Sequence, residues 1–423
     1  MPDSHGRPAL HFAPTTGWMN DPHGLTHHAG RYHLFFQHVP GRTTWGPRQH
    51  WGHATSTDLL HWTEHDVVLS PDEDDHGVWS GSVAIPDDGP AALFYTSVTS
   101  ADPHLGRARL ARPVDTTWTH WHKGPVVAEL PHGVEAFAIR DPFLFHDGQS
   151  WRMLLGAGLR DGTAVALAWV SDDLESWTFD GALAGRHTTR TDPWTGTMWE
   201  CPQLVRVADR WVLAVSAWSA AGPDNEAYAI GDLVDGRFVA ESWHRLSHGP
   251  SSYAGSVFID ADGHPGLMHW MRGVSGDTKQ WVGAHTLPQR LELDGARLRV
   301  RPHPAVASAR VGPAVPLGEV GAEVGDPCDV EWTVQGGRAG LTVATPGLDL
   351  VVLDADAGRL TIRVGDSSWQ MPLGGSADIR VLLDGPTLEV FTAAGSFGAP
   401  APGAGTRTLA VVGAATAVAH RLA

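Results

Sequence analysis

A repeat of about 60 residues constrains this chain more than any other feature. Tryptophan closes four short stretches, STDLLHW at Trp62, DTTWTHW at Trp121, SDDLESW at Trp177 and VAESW at Trp243, at steps of 59, 56 and 66 residues. A second series keeps phase with it: Asp21 in WMNDP, Ser80 in VWSGS, Asp141 in IRDPF, Glu200 in WECPQ and Tyr253 in SSYAG, at steps of 59, 61, 59 and 53. Between the marks lie short, apolar, β-prone runs such as RYHLFFQ, AALFYTSV and RWVLAVSAW, bounded by Gly, Asp, Asn or Pro. No long stretch carries a helical period. Units of this kind read as propeller blades, although longer than the common periods of about 40 to 50. Five marks predict five blades, with the second series facing a shared axis. A sandwich array with accidental spacing gives no reason for two series to stay in phase.

After LPQRLELDGARLRVRPHP (287–304) the texture changes. Tryptophan thins out, and alternating strands with hairpin turns follow, as in DLVVLDADAGRLTIRVG and ADIRVLLDGPTLEVF. LAVVGAATAVA at 409–419 reads as a final buried strand. The expected architecture is all-β: a five-bladed β-propeller over 1–304, then a C-terminal antiparallel β-sandwich over 305–423.

Net charge is −17 with no basic run, which argues against nucleic acid or an anionic membrane surface as partner. No apolar run is long enough for a transmembrane helix. The start MPDSHGRPAL shows no apolar signal region, and two cysteines cannot form a disulfide framework. Both favour a cytoplasmic location. The 25 histidines show neither H-E-x-x-H nor zinc spacing, so no metal site is expected.

Three of the five axial marks are acids: Asp21, Asp141 and Glu200. Two carboxylates flanking a bond are the minimum for glycoside cleavage, one ionised and one protonated. Trp18, Trp45, Trp79 and Trp199 could offer ring faces to sugar C–H groups. Asn20, Gln37 and Arg140 could bond hydroxyls. Each has a plainer reading, since Asp before Pro is commonly a turn former and Arg140–Asp141 could be a local ion pair. The joint phase of the acids is what turn formation does not require.

WMNDPHG, RDP at 140–142 and EC at 200–201, in this order, resemble the signatures of glycoside hydrolase family 32, the β-fructofuranosidase (invertase), inulinase and levanase family. HWGHATSTDLLHW, WSGS, FYTS, YAGSVF, LPQRL and LLDGPTLEVF extend the resemblance along nearly the whole chain. It implies a five-bladed propeller with a C-terminal sandwich, and retaining cleavage of terminal β-fructofuranosides without a metal or organic cofactor. Carried over, Asp21 would be the nucleophile, Glu200 the general acid/base and Asp141 the transition-state stabiliser. Asn20, Gln37, Trp45, Trp79, Ser80, Arg140, Tyr253 and Trp270 would bind the sugar. The sequence departs from the family at His23, Gln203 and Ser251, around the acids rather than at them. A fructosyltransferase, a non-catalytic fructan-binding propeller and an inverting arabinoside hydrolase are the rival readings.

Overall fold

A computed structural model of the chain describes residues 6–345, 348–375, 377–402 and 405–423. It is built almost wholly of antiparallel strands, and the one helix among the described residues, Pro304–Ser308, has five residues. Up to Pro302 the strands form three four-stranded sheets and one nine-stranded sheet, in which the two ends of the region meet. Gly17 and Trp18 pair in parallel there with Trp281 and Val282. The arrangement fits the expected β-propeller followed by a β-sandwich.

The first tryptophan series has a local cause. In 56–62, Ser56 Oγ accepts from the Leu59 N–H (2.9 Å) and Asp58 Oδ1 from those of Leu60 and His61 (2.9 and 2.8 Å). These bonds hold Leu59 at φ +71°, and the Trp62 indole donates back to the Leu59 carbonyl (3.0 Å). Side-chain oxygens of Ser and Asp build turns in this way. Residues 171–177 repeat the device with Ser171, Asp173 and Leu174 (φ +64°). Residues 115–121 do so with Asp115 and Trp118 (φ +59°), and the Trp121 indole donates to the Trp118 carbonyl (2.8 Å). Each turn opens the last strand of a sheet. Trp243 does not belong to this series: it lies inside strand Arg237–Arg245, opposite Ala229, and packs against Trp199.

The second series has a stronger cause. Its five members lie on the strands Gly17–His28, Gly77–Ala84, Ala136–His146, Met198–Val207 and Ser252–Ile259. These strands pack against one another in chain order, and the last packs against the first. In every one the pairing register slips at or beside the marked residue, between Met19 and Pro22, Trp79 and Gly81, Arg140 and Phe143, Glu200 and Gln203, and Tyr253 and Ser256. A β-bulge re-aims side chains and increases local twist. Asp141, Cys201 and Ala254 take φ of +64°, +45° and +52° at these bulges. The repeat read from sequence is therefore a bulge repeated five times.

From Arg310 onward the strands join an eleven-stranded sheet system, which also takes in Ser247–His248 through a parallel pairing with Gly395–Pro400. Two long strands, Cys328–Thr345 and Arg407–Leu422, run through both of its layers. The 409–419 stretch is therefore not buried throughout. Its ends sit in the core, while residues 412–414 are exposed beside the bulge at 334–339, where the strands pass between layers.

His11 ties this second region to the first. Its Nδ1 lies 2.8 Å from Asp384 Oδ2 and its Nε2 2.9 Å from Glu389 Oε1, and all three residues are buried. Asp384 also accepts the N–H groups of Ala9, Leu10 and His11, and Glu389 accepts that of Leu287. Burial alone would lower the His11 pKa; the hydrogen bonds and charges of the two carboxylates outweigh it and raise the imidazole to about 9. A folded-state value above the unfolded one (about 6.5) means a contribution complete below pH ~6.5 and lost as pH rises through about 9. His11→Ala should therefore cost about 3–5 kcal/mol at pH 6, the scale of breaking a buried pair, and clearly less at pH 10. Urea denaturation of both proteins at the two pH values checks this; an equal difference at both would refute the charged clamp.

Candidate active site

The bulges bring their side chains together in one hydrogen-bonded site. Asp21 Oδ2 accepts from Ser80 Oγ (2.6 Å) and, at the limit of reach, from Gln37 Nε2 (3.4 Å); Oδ1 accepts from Asn20 Nδ2 (3.0 Å). Gln37 also donates to Ser80 Oγ. Asn20 is oriented in turn by the Trp18 indole N–H, which donates to its Oδ1 (3.0 Å). Trp18 packs edge-on against Trp270, 5.8 Å between centroids, in a cluster with Cys201, Tyr253 and Ala254. The turn-like WMNDP is thus the start of a buried strand, and its tryptophan braces the residue beside Asp21.

Glu200 has different company. Arg140 donates to its Oε1 through Nε (3.0 Å) and Nη2 (2.7 Å), and the Tyr253 hydroxyl donates to its Oε2 (2.5 Å). The Arg140 guanidinium lies over two indoles, 5.9 Å from the Trp79 ring and 5.7 Å from the Trp218 ring. Asp141 Oδ2 accepts from the Cys201 N–H (3.0 Å) and stands 4.0 Å from Arg140 Nε. The Asp141 N–H donates to Thr96 Oγ1 (2.8 Å).

Three acids around one guanidinium are short of positive charge. Burial raises the Asp21 carboxyl to about 6, with repulsion from Glu200 adding and the bonds from Ser80 and Asn20 opposing. Asp141 is also raised, by burial first and then by Glu200 and Asp21 against the pull of Arg140. Burial and mutual repulsion thus hold both carboxyls above their ordinary range.

The residues expected from sequence divide unevenly. Asn20, Asp21, Gln37, Ser80, Arg140, Asp141, Glu200 and Tyr253 form one network, with Trp79 over Arg140 and Trp270 beside Trp18. Trp45 stands apart, 51% exposed, with its ring edge-on to that of Trp79. Trp199 does not face the site: it is fully buried against Trp243. Successive side chains on a strand point to opposite faces, so a Glu200 aimed at the axis turns Trp199 into the layer between sheets. The departures are also set back. His23 packs on Trp51, with centroids 4.1 Å apart, and burial keeps its imidazole neutral. Gln203 Oε1 accepts from the Val257 N–H, and Ser251 Oγ donates to the Arg272 carbonyl.

Four residues at or behind the site were not singled out from sequence: Trp218, His104, Thr96 and the buried Glu226. Trp218 closes a second strand, outside the phase of either series. His104 comes within 6.2 Å of it between ring centroids, and its carbonyl accepts the Ile139 N–H next to Arg140. Thr96 reaches the site from the second sheet. For Trp218, its nearness in pairing to Met198 was the only signal, and it needs the register to be known.

Residues 11–302 match the family described as glycosyl hydrolases family 32 N-terminal domain. Over 428 residues the chain is 31% identical to the sucrose-6-phosphate hydrolase of Escherichia coli, covering 91% of this chain and 86% of that protein. It is 34% identical to the raffinose invertase of Escherichia coli over 72% of this chain and 66% of the relative. Among solved structures, the sucrose-6-phosphate hydrolase of Lactobacillus gasseri superposes with a TM-score of 0.86 at 23% identity, covering 99% of this chain and 94% of that one.

Proposed function

Because the chain belongs to glycoside hydrolase family 32 and is a hydrolase of the β-fructofuranosidase type, we propose that it cleaves terminal β-D-fructofuranosides, sucrose and short fructo-oligosaccharides above all, with retention of configuration. Asp21 attacks the anomeric carbon while Glu200 protonates the departing oxygen. Glu200 then takes a proton from water, which releases fructose from the ester at Asp21. Asp141 accepts fructosyl hydroxyls and stabilises the oxocarbenium-like transition state. Every proton has a carrier in this scheme, which calls for no metal or cofactor. We read the five bulged strands as the inner strands of five blades, in a catalytic propeller of residues 1–304 followed by a sandwich of residues 305–423. The cyclic packing of those strands supports that reading.

The observation that carries the proposal is the unequal setting of two acids in one site. Asp21 receives its hydrogen bonds from neutral donors, which leaves a carboxylate free to form a bond. Glu200 is held at both oxygens, by Arg140 and Tyr253, as a group that must exchange a proton without moving. The indoles of Trp79 and Trp218 beside Arg140 favour a neutral sugar as leaving group. Relatives named for sucrose 6-phosphate make the phosphorylated sugar the second reading.

Initial rates on sucrose, 1-kestose, inulin, levan and sucrose 6-phosphate test this. The expected kcat/KM is highest for sucrose and 1-kestose. A higher value on either polymer or on the phosphorylated sugar would replace the substrate assignment, and kestose-type products dominating at high sucrose would make the enzyme a transferase.

A further inference from the structure

Glu226 has no part in the chemistry proposed above, yet it is buried directly behind it. The register runs Glu200–Ser216–Glu226 across three neighbouring strands, so these side chains share one face of the sheet. Glu226 Oε1 accepts from the Gly255 N–H (2.7 Å) and from Ser216 Oγ (3.3 Å). Its Oε2 lies 2.9 Å from His269 Nε2, a close contact without the alignment of a hydrogen bond.

Gly255 belongs to the fifth bulge, where Ala254 and Gly255 together oppose only His269. A bulge strips an N–H of its ladder partner, and a buried N–H left without one is costly. Two earlier bulges meet the same need with a side chain from the preceding sheet. Thr96 Oγ1 takes the Asp141 N–H, and Asp141 Oδ2 takes the Cys201 N–H. Glu226 does this for the fifth. The fit is close, because a Cβ on Gly255 would come within 3.0 Å of Glu226 Oε1 and 3.1 Å of His269 Cδ2. Two residues before Gly255 stands Tyr253, whose hydroxyl donates to Glu200 Oε2.

The geometry points to Glu226 as a positioning residue for the acid/base: by accepting the Gly255 N–H it fixes the bulge that aims the Tyr253 hydroxyl at Glu200. This rests on the role proposed for Glu200. The charged or titratable groups facing Glu200 are Arg140, Tyr253, Asp21, Asp141, Cys201 and Arg272, and those facing Glu226 are His269 and Arg272.

The alkaline limb of the kcat/KM–pH profile on sucrose reads this positioning. The Tyr253 bond favours ionised Glu200, whereas the first step needs it protonated, so losing the bond moves the limb upward. Tyr253→Phe should move it by about one pH unit. Glu226→Asp keeps the charge but draws the oxygen back by one methylene; it should move the limb the same way, and the double variant no further than Tyr253→Phe alone. Glu226→Gln, with an oxygen of equal reach, should restore the limb. Glu226→Thr, β-prone and uncharged, with an oxygen drawn back further still, gives the same reading should Glu226→Asp not fold, since Glu226→Gln controls for the lost charge. A limb that stays put in the shortened variants while Tyr253→Phe moves it would overturn the inference, as would Glu226→Gln behaving like Glu226→Asp. If neither Tyr253→Phe nor Glu200→Gln moves the limb, the role of Glu200 itself is wrong and the inference falls with it.

Discussion

Asp21→Ala should lose about 10⁴- to 10⁶-fold in the fructosylation step, the scale seen when an essential nucleophile is removed. The loss should be similar for sucrose and for an aryl fructoside with a good leaving group, because the missing bond is to the fructosyl carbon and not to what departs. No neighbour can stand in. Asp141 is tied to the Cys201 N–H, and Glu200 is held by Arg140 and Tyr253. The loss should not be one of folding. Asp21 is raised to about 6, by burial first and by Glu200, above its ordinary value near 3.8. A carboxyl whose folded value is raised costs stability as pH climbs from the unfolded value to the folded one, and the full cost is present at neutral pH. Asp21→Asn should therefore melt no lower than wild type at pH 7 while being as inactive as the alanine variant. Melting curves beside pre-steady-state aryl release check both parts. A variant that is inactive but clearly less stable would leave the nucleophile assignment without support, and recovery on the activated substrate would contradict it.

Glu200→Ala should separate the two substrates. A general acid contributes about 10²- to 10⁴-fold where the leaving group is poor, so activity on sucrose, which must expel a sugar alkoxide, should fall by that amount. A phenolate departs without a proton, and aryl release in the first step should be far less affected. The fructosyl-enzyme should then accumulate for want of a base, and azide, which needs none, should accelerate its turnover. Asp141→Ala should be slow on both substrates, since its contacts to the fructosyl ring strengthen in the transition state whatever leaves. Aryl release and sucrose turnover, measured on each variant, distinguish the three acids. Equal defects of Glu200→Ala on both substrates would mean that Glu200 does not protonate the leaving group.

What sequence could disclose here followed from how local each cause is. The second series was legible because one backbone device, a bulge in the first strand of a sheet, recurs with the same chain length between copies. The turns at Asp58, Asp115 and Asp173 were legible for the same reason, since their hydrogen bonds close within a few residues. Trp243 matched that series in spacing without the Ser or Asp that makes the turn, and its place is set by packing on Trp199 instead. Trp199 itself was misread because its neighbour in sequence is a site acid, whereas strand alternation sends adjacent side chains to opposite faces. The buried assistants were hidden altogether. Glu226 and Thr96 meet bulge N–H groups on another sheet, and His11 finds Asp384 373 residues away. Such partners follow from the register and closure of the sheets, which no local pattern encodes.

The central claim is that Asp21 and Glu200 carry a double displacement, and the anomer first released tests it most directly. A fructosyl-enzyme formed at Asp21 and opened by water returns the original configuration. An NMR time course on fresh sucrose, run faster than mutarotation, should show β-fructofuranose appearing first. Initial α-fructofuranose would mean a single inverting displacement, and the covalent role of Asp21 would be contradicted.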